Sequence, residues 1–337
     1  MMKNAALQFV SDIETINPLG VGLINDTYLV NNEIVLQKIN THVFKQPQQI
    51  IANLFILNQH IQTKKQTKLI IPHLLDTHDG IPYHQDEQNQ TWRALNFIKN
   101  SFSITDLDNL NRACDIGFAL GYFHYLVHDL TVESLYDTLP NFHIAPFYLA
   151  QYQTAPKTKT NEFCENFIEQ YHYFVNDLES AKQQGLLKLR VTHGDPKIDN
   201  FLFDKTSLEV ISLIDLDTVK PALVQYDIAD CLRSCCHDKS THSFSLAICE
   251  AILGSYLNEV GKFFSNHDYY YLYPAIRLLP FELGLRFYTD YLQDNIYFKV
   301  EHPEQNLQRA IEQFKLCQSI IDQENEIKQL ISTFGMQ

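Results

Sequence analysis

Positive charge is what this 337-residue chain has least of: 26 Lys and Arg stand against 40 Asp and Glu, a formal net charge of -14. That balance offers no general attraction to nucleic acid or to an anionic membrane, so neither is an expected partner, and an anionic ligand must be met by local cations. Long apolar runs are missing too. No 18-residue stretch is both uncharged and apolar, and the N-terminal stretch has a Lys near its start but no uninterrupted apolar segment of the secretory kind. The expected location is cytoplasmic and the favoured state a monomer. The seven Cys, at 114, 164, 231, 235, 236, 249 and 317, form no spaced C-x-x-C pair of pairs, and their odd number points to reduced thiols, many of them buried. Cys235, Cys236 and His237 are adjacent, an awkward arrangement for zinc. His124 and His128 share a helical spacing but no adjoining acidic third ligand, which favours packing or surface roles.

What is present is a large stock of core material and one stretch rich in chemistry. The chain is 45% hydrophobic with 22 Phe and 18 Tyr, enough for a substantial core and for two domains or lobes. Residues 191–203 read VTHGDPKIDNFLF and residues 212–217 read SLIDLD. A base for phosphoryl transfer must reach an acceptor hydroxyl, and Mg²⁺ needs hard oxygen ligands near the donor phosphates. Asp195 is the candidate base, and Asn200 and Asp215 the candidate metal ligands. Residues 201–203 and 210–214 are short apolar strand candidates separated by a polar turn at 204–207. Pairing them would set Asn200 beside Asp215. The plainer alternative is a polar loop between strands.

The pattern changes along the chain. Residues 27–30 and 34–39 form a strand hairpin preceded by Gly20 and Gly22, so residues 20–25, with Asn25 at their end, either cover a nucleotide or form an ordinary loop. From Pro47 a helix carries Ile50, Ile51, Leu54, Leu57 and Ile61 on one face. Strands are expected at 69–71 and 91–98, with a polar turn region at 76–89 between them, and Trp92 reads as core. Beyond residue 105 the pattern is largely helical, with helices expected at 110–126, 162–178, 245–256 and 269–292.

The order His193, Asp195, Asn200, Ile214, Asp215 resembles the His-x-Asp-x-x-x-x-Asn loop and Ile-Asp metal segment of the kinase-like small-molecule phosphotransferases. These include aminoglycoside phosphotransferases, choline kinases and homoserine kinases. The chain is further similar to the N-acetylhexosamine 1-kinases at residues 24–28 (INDTY), 37–40 (QKIN), 43–45 (VFK), 137–143 (DTLPNFH), 289–292 (TDYL) and 294–299, in matching order from about residue 12 to about 320.

The resemblance implies an α+β, two-lobed protein-kinase-like fold. A small antiparallel-sheet N-lobe, residues 1–98, would end at a hinge, and a larger, mostly helical C-lobe would fill residues 99–337. It implies ATP and Mg²⁺ as cofactors and transfer of phosphate to the C1 hydroxyl of an N-acetylhexosamine. Another small alcohol as acceptor, or a catalytically silent nucleotide-binding protein, are the alternatives. Asp195 would be the base, with His193 before it and Lys197 either neutralising the transferring phosphoryl group or facing water. Asn200 and Asp215 would hold metal, with Asp217 joining or orienting that shell. Gly20, Gly22, Asn25, Lys38, Phe97 and Ile98 would meet the nucleotide. His143, Asp230, Arg233, Arg286 and Tyr297 would meet the acceptor, although His143 also suits a structural role and Asp230 with Arg233 also suits a structural ion network. Arg277, Asp290 and Tyr291 offer similar groups nearby in sequence, and Asp227 would brace the catalytic backbone. The chain departs from the kinase-like pattern at the phosphate-binding lysine. Strand alternation turns either Gln37 or Lys38 toward the cleft, residues 47–59 hold no Glu to pair with such a lysine, and Lys99 sits at a hinge position where related sugar kinases often carry Glu.

Overall fold

The computed structural model describes residues 1–20, 24–65, 67–107 and 109–335. A short helix α1 (Met2–Ala6) precedes strands β1 (Ile16–Pro18), β2 (Asp26–Val30) and β3 (Ile34–Lys38). Helix α2 (Pro47–Gln62) follows, then β4 (Leu74–Leu75), β5 (His84–Gln85) and β6 (Thr91–Asn96). These strands form one antiparallel sheet in the order β1-β2-β3-β6-β4, with β5 also paired to β6. Alternation along β3 and β6 sends Ile34, Leu36, Trp92 and Ala94 into a small core with Ala5, Ala6 and Val30. Trp92 is core, as its apolar setting implies, and its Nε1–H finds Asp86 Oδ2 at 2.9 Å.

The apolar stripe of α2 faces the other way. Ile50, Ile51, Leu54 and Leu57 belong to the large core that runs through the C-terminal part of the chain. Asn53, buried in the same helix, donates to Tyr136 O at 2.8 Å and Val219 O at 2.9 Å, which ties α2 to that part.

The remainder is largely helical: β7 (Ser101–Phe102), α3 (Leu110–Val127), α4 (Ala145–Thr154), α5 (Glu162–Tyr171), α6 (Asp177–Gln183), β8 (Arg190–Thr192), β9 (Phe201–Asp204), β10 (Val210–Leu213), β11 (Lys220–Ala222), α7 (Val224–Cys235), β12 (His237–Asp238), β13 (Ser243–Phe244), α8 (Leu246–Val260), α9 (Asn266–Tyr270), α10 (Leu272–Leu292), α11 (Gln305–Asp322) and α12 (Glu324–Gly335). Residue 98 falls between β6 of the N-terminal sheet and β7, which pairs with β9. Helices α3 and α8 pack at backbone distance, since a Cβ on Gly121 would lie 2.8 Å from Tyr256 O and one on Gly117 would collide with Ile252 O.

Several expected elements differ. Residues 69–71 make only an isolated bridge, Ile70 to Ser212, and the strand instead forms at Leu74–Leu75. The 162–178 helix breaks after Tyr171, with a 3₁₀ turn at His172–Phe174 before α6. The 269–292 helix is two, because Ser265 and Asp268 form a reciprocal capping box that starts α9 and the chain bends at Tyr271. Among the described residues no helix is long and apolar enough to cross a membrane. All seven Cys are free, and six are buried.

Candidate active site

The catalytic segment leaves β8 at Thr192, turns through a 3₁₀ element at Ile198–Asn200 and enters β9. Its first turn hangs from the N-terminal turn of α7. Asp227 accepts the His193 N–H at 2.6 Å and the Gly194 N–H at 2.8 Å. Gly194 adopts φ +89°, and a Cβ there would meet Thr218 O at 2.6 Å, so only glycine passes. The His193 ring donates from Nε2 to Ile214 O at 2.9 Å and accepts the Asp195 N–H at Nδ1, 3.2 Å. Burial pushes this imidazole down to about 4, so the ring is neutral, as that pattern of one donor and one acceptor requires. His193, expected among the catalytic residues, is fully buried with both ring nitrogens engaged, an arrangement that holds the loop carrying Asp195. His124 is likewise structural, bonded to Asp227 at 2.8 Å and to the Tyr256 hydroxyl at 2.9 Å.

Asp195 is half-buried, with the Lys197 ammonium 3.2 Å from its carboxylate. Burial raises the Asp195 carboxyl, Lys197 lowers it and Asp230 raises it again, leaving it above the ordinary value. Lys197 is raised in turn: burial lowers it, and the carboxylates of Asp195, Asp199 and Asp215 more than offset that.

Strands β9 and β10 pair antiparallel, Leu213 opposite Phe201, and the Ile214 N–H reaches Asn200 O at 2.9 Å. Asn200 thereby lies alongside the residue before Asp215. The Asn200 amide donates to Asp195 O at 2.7 Å. Asp215 stands at φ +66°, a left-handed conformation that Asp tolerates, and opens onto the cleft. Asp215 keeps an exposed edge, yet desolvation by the protein around it, then Asp217 and Asp195, push this carboxyl up to about 7, with Lys197 and Arg93 acting in the opposite sense. Carboxylates crowded in this way suit a divalent cation, and the Asn200 and Asp215 oxygens are the hard donors Mg²⁺ prefers. Among the described residues no three His, Cys, Asp or Glu side chains converge on a metal position, so phosphate oxygens and water would complete such a shell.

Asp217 faces elsewhere. It is 3% exposed, forms an ion pair with Arg93 and accepts Asn25 Nδ2 at 2.7 Å. Asn25 in turn accepts the Asn40 N–H at 2.9 Å. Arg93 Nε and Nη2 also bond Gln37 Oε1, at 3.1 and 2.8 Å, because Gln37 and Arg93 are direct cross-strand partners. Gln37 thus faces the cleft. Lys38 lies on the other face of β3, 2.5 Å from Asp26, and the structure does not bring it to Asp217. Gly20 stands at φ +69° shortly after β1, and Gly22 falls outside the described residues. The Phe97 N–H is donated to Glu33 O at 2.9 Å, and Ile98 O accepts the Ser101 hydroxyl at 2.6 Å.

A second cluster of polar side chains gathers around Asp230 and His143. Asp230 binds Arg233 Nε at 2.8 Å through one oxygen. His143 bonds Gly194 O at 3.0 Å and Glu282 Oε1 at 3.3 Å, so the 137–143 segment packs directly on the catalytic turn. Arg286 lies over the rings of Phe142, Tyr148 and Phe298, at 5.2, 4.9 and 5.6 Å from their centroids. Tyr297 is 55% exposed, with its ring centroid 4.8 Å from that of Phe298. The second oxygens of Asp230 and Glu282 are buried with no partner among the described residues. Each such atom costs about 1–3 kcal/mol unless a ligand or water meets it. Three residues of similar chemistry lie apart. Arg277 pairs with Asp177, Asp290 accepts the Tyr297 and Phe298 N–H groups, and Tyr291 sits under Lys159.

Sequence reasoning missed Arg93 and Glu282. Each had a signal: a lone charge within an apolar strand, TWRALN, and a lone acid within an apolar helix, LLPFELGL. Breaking either partner of the buried Arg93–Asp217 pair would cost about 3–5 kcal/mol.

Residues 15–257 match the profile of the phosphotransferase enzyme family, APH. Solved structures of the same fold include a microcompartment-associated aminopropanol kinase, with a TM-score of 0.68 at 15% identity, covering 97% of this chain and 98% of that one. The GDP complex of aminoglycoside 2'-phosphotransferase-IIIa gives 0.65 at 14%, covering 93% and 97%. A choline/ethanolamine kinase family protein from Mesorhizobium loti gives 0.64 at 14%, covering 100% of both chains. With a family match over 243 residues, well over half of its length, this chain belongs to the APH phosphotransferase enzyme family and is a small-molecule phosphotransferase of kinase-like, α+β fold.

Proposed function

We propose that the protein phosphorylates the anomeric hydroxyl of an N-acetylhexosamine, with MgATP as donor. The observation that carries this reading is the pair of buried, unpartnered carboxylate oxygens, Asp230 Oδ2 and Glu282 Oε2, flanking the catalytic turn and sharing His143 and Arg286 as electrostatic neighbours. Carboxylate oxygens that lack donors are matched by hydroxyl or amide N–H groups of a ligand, and the rings around Arg286 offer flat faces to a pyranose. The cluster is also balanced in charge: Asp195, Asp230 and Glu282 are met by Lys197, Arg233 and Arg286. Such balance supports a neutral polyhydroxylated acceptor over a polycationic one, which would gain most from uncompensated carboxylates.

In this reading Asp195 orients the C1 hydroxyl and takes its proton as that oxygen bonds the γ-phosphorus and the bond to the departing ADP oxygen breaks. Lys197, held by Asp195, sits where charge on the transferring group is neutralised. Asn200 and Asp215 are the residues that would hold Mg²⁺, whose contribution when bound is to offset phosphate charge. Asp227 and His193 fix the backbone that carries Asp195, so the reacting groups are set before the acceptor arrives.

The test is nucleotide consumption over N-acetylglucosamine, N-acetylgalactosamine, the parent hexoses, choline and an aminoglycoside, followed by product NMR. Turnover with the N-acetylhexosamines, and phosphate on C1, is expected. Turnover with an aminoglycoside or choline alone would move the acceptor assignment, and nucleotide binding without any turnover would refute the catalytic reading.

A further inference from the structure

Three cations in and beside the N-terminal sheet could meet a nucleotide's phosphates, and the strand faces separate them. Lys38 is on the face away from Asp217, held by Asp26 at 2.5 Å, and Lys45 is exposed. Arg93 is on the cleft face, 1% exposed, beside the 215–217 segment. We propose that Arg93 is the residue that binds the nucleotide's phosphate chain, and that Asp217 is its counter-ion in the ligand-free protein and not a metal ligand. The proposal rests on the nucleotide-dependent reading above.

Three observations converge on it. Arg93 Nε and Nη2 are occupied by Gln37, and Nη2 also by Asp217, yet Nη1 is a buried donor with no partner among the described residues. Gln37 is itself oriented: its Nε2 donates to the Thr27 hydroxyl at 3.2 Å, which turns its oxygen to the guanidinium. The other Asp217 oxygen accepts Asn25 Nδ2 at 2.7 Å. One carboxylate therefore joins the loop before β2, the strand cation and the segment that carries Asp215. Lys197, the other cation acting on Asp215, is already engaged by Asp195 and is assigned above to the transferring phosphoryl group, which leaves the rest of the phosphate chain to another cation. A guanidinium stays charged at any working pH and presents a planar fork of donors, the geometry that matches two phosphate oxygens.

The consequence is a division of labour between neighbouring strands. Gln37 holds the position a strand cation would otherwise occupy, and the charge comes from the residue opposite it on β6.

The experiment is calorimetric titration of the full chain, in Mg²⁺, with ADP and adenosine and in parallel with GDP and guanosine, for the wild type and Arg93→Met. Loss of a charge-assisted phosphate contact should weaken the diphosphate about 10- to 100-fold while the nucleoside changes by less than about twofold. Equal weakening of diphosphate and nucleoside, or weakening of neither, overturns the proposal. A wild-type chain that binds neither diphosphate overturns the nucleotide reading and the proposal with it. Where Arg93→Met fails to fold because Asp217 is stranded, the double variant R93M/D217N carries the test. The expected result is then a diphosphate that binds no better than its nucleoside, and wild-type diphosphate affinity overturns the proposal.

Discussion

The carboxylate of Asp227 accepts the His193 N–H at 2.6 Å through one oxygen and the Gly194 N–H at 2.8 Å through the other, so one side chain on α7 fixes the turn that presents Asp195. The same carboxylate also meets His124, and it is 1% exposed. Asp227→Ala strands two buried backbone donors and an imidazole nitrogen. The expected loss is about 3–5 kcal/mol of stability in urea denaturation, with a fall in kcat as the turn loosens.

Asp195→Asn keeps the shape of the side chain and removes its capacity to take a proton. The folded state should survive, with an unchanged far-UV spectrum, and phosphoryl transfer should fall about 10²- to 10⁴-fold. Activity within about tenfold of wild type would remove Asp195 from the role of base.

Glu282→Gln preserves size and the contact to His143 but replaces an unpartnered carboxylate oxygen by an amide. Loss of a hydrogen bond from the acceptor to that charged group should raise the acceptor KM about 5- to 100-fold and leave the nucleotide KM nearly unchanged. Parallel rises in both constants would place Glu282 in general packing instead.

His143 gives a pH signature. Burial lowers its imidazole, but the hydrogen bond and charge of Glu282, then Asp230, more than offset that, and the group lies above the ordinary histidine value. A group raised on folding contributes stability that is fully present below the unfolded value of about 6.5 and is lost as pH rises through the folded value. Urea midpoints of the wild type should therefore decline as pH climbs from about 6 toward 9, relative to those of His143→Gln. Parallel pH profiles of the two proteins would contradict the pairing of His143 with Glu282.

The placing of Asn200 alongside the segment that carries Asp215 was legible because the residues are close in sequence and their types are restrictive. Asp195, Asn200 and Asp215 are joined by one short hairpin, β9 to β10, whose apolar strands and polar turn are local signals. The sites built from distant segments were less legible. Glu282 meets His143 across 139 residues and Arg93 meets Asp217 across 124. Secondary structure was least legible where side chains rather than periodicity end an element. Ser265 and Asp268 start a separate α9, and the stretch at 69–71 gives way to a strand at Leu74–Leu75.

The sequence by itself determined the short-range order of Asp195, Asn200 and Asp215, which one hairpin can gather, and the resemblance carried by that order implied the two-lobed, kinase-like α+β fold. Only the tertiary structure decided what those residues face. A period-2 strand offers two faces, and pairing of β3 with β6 placed Gln37 and Arg93 toward the cleft and Lys38 away from it. That pairing sets Asp217 against Arg93, and packing of α10 on the 137–143 segment brings Glu282 to His143 beside the Gly194 turn. Charge in a sequence has a sign but no direction, and burial against a specific partner supplies the direction.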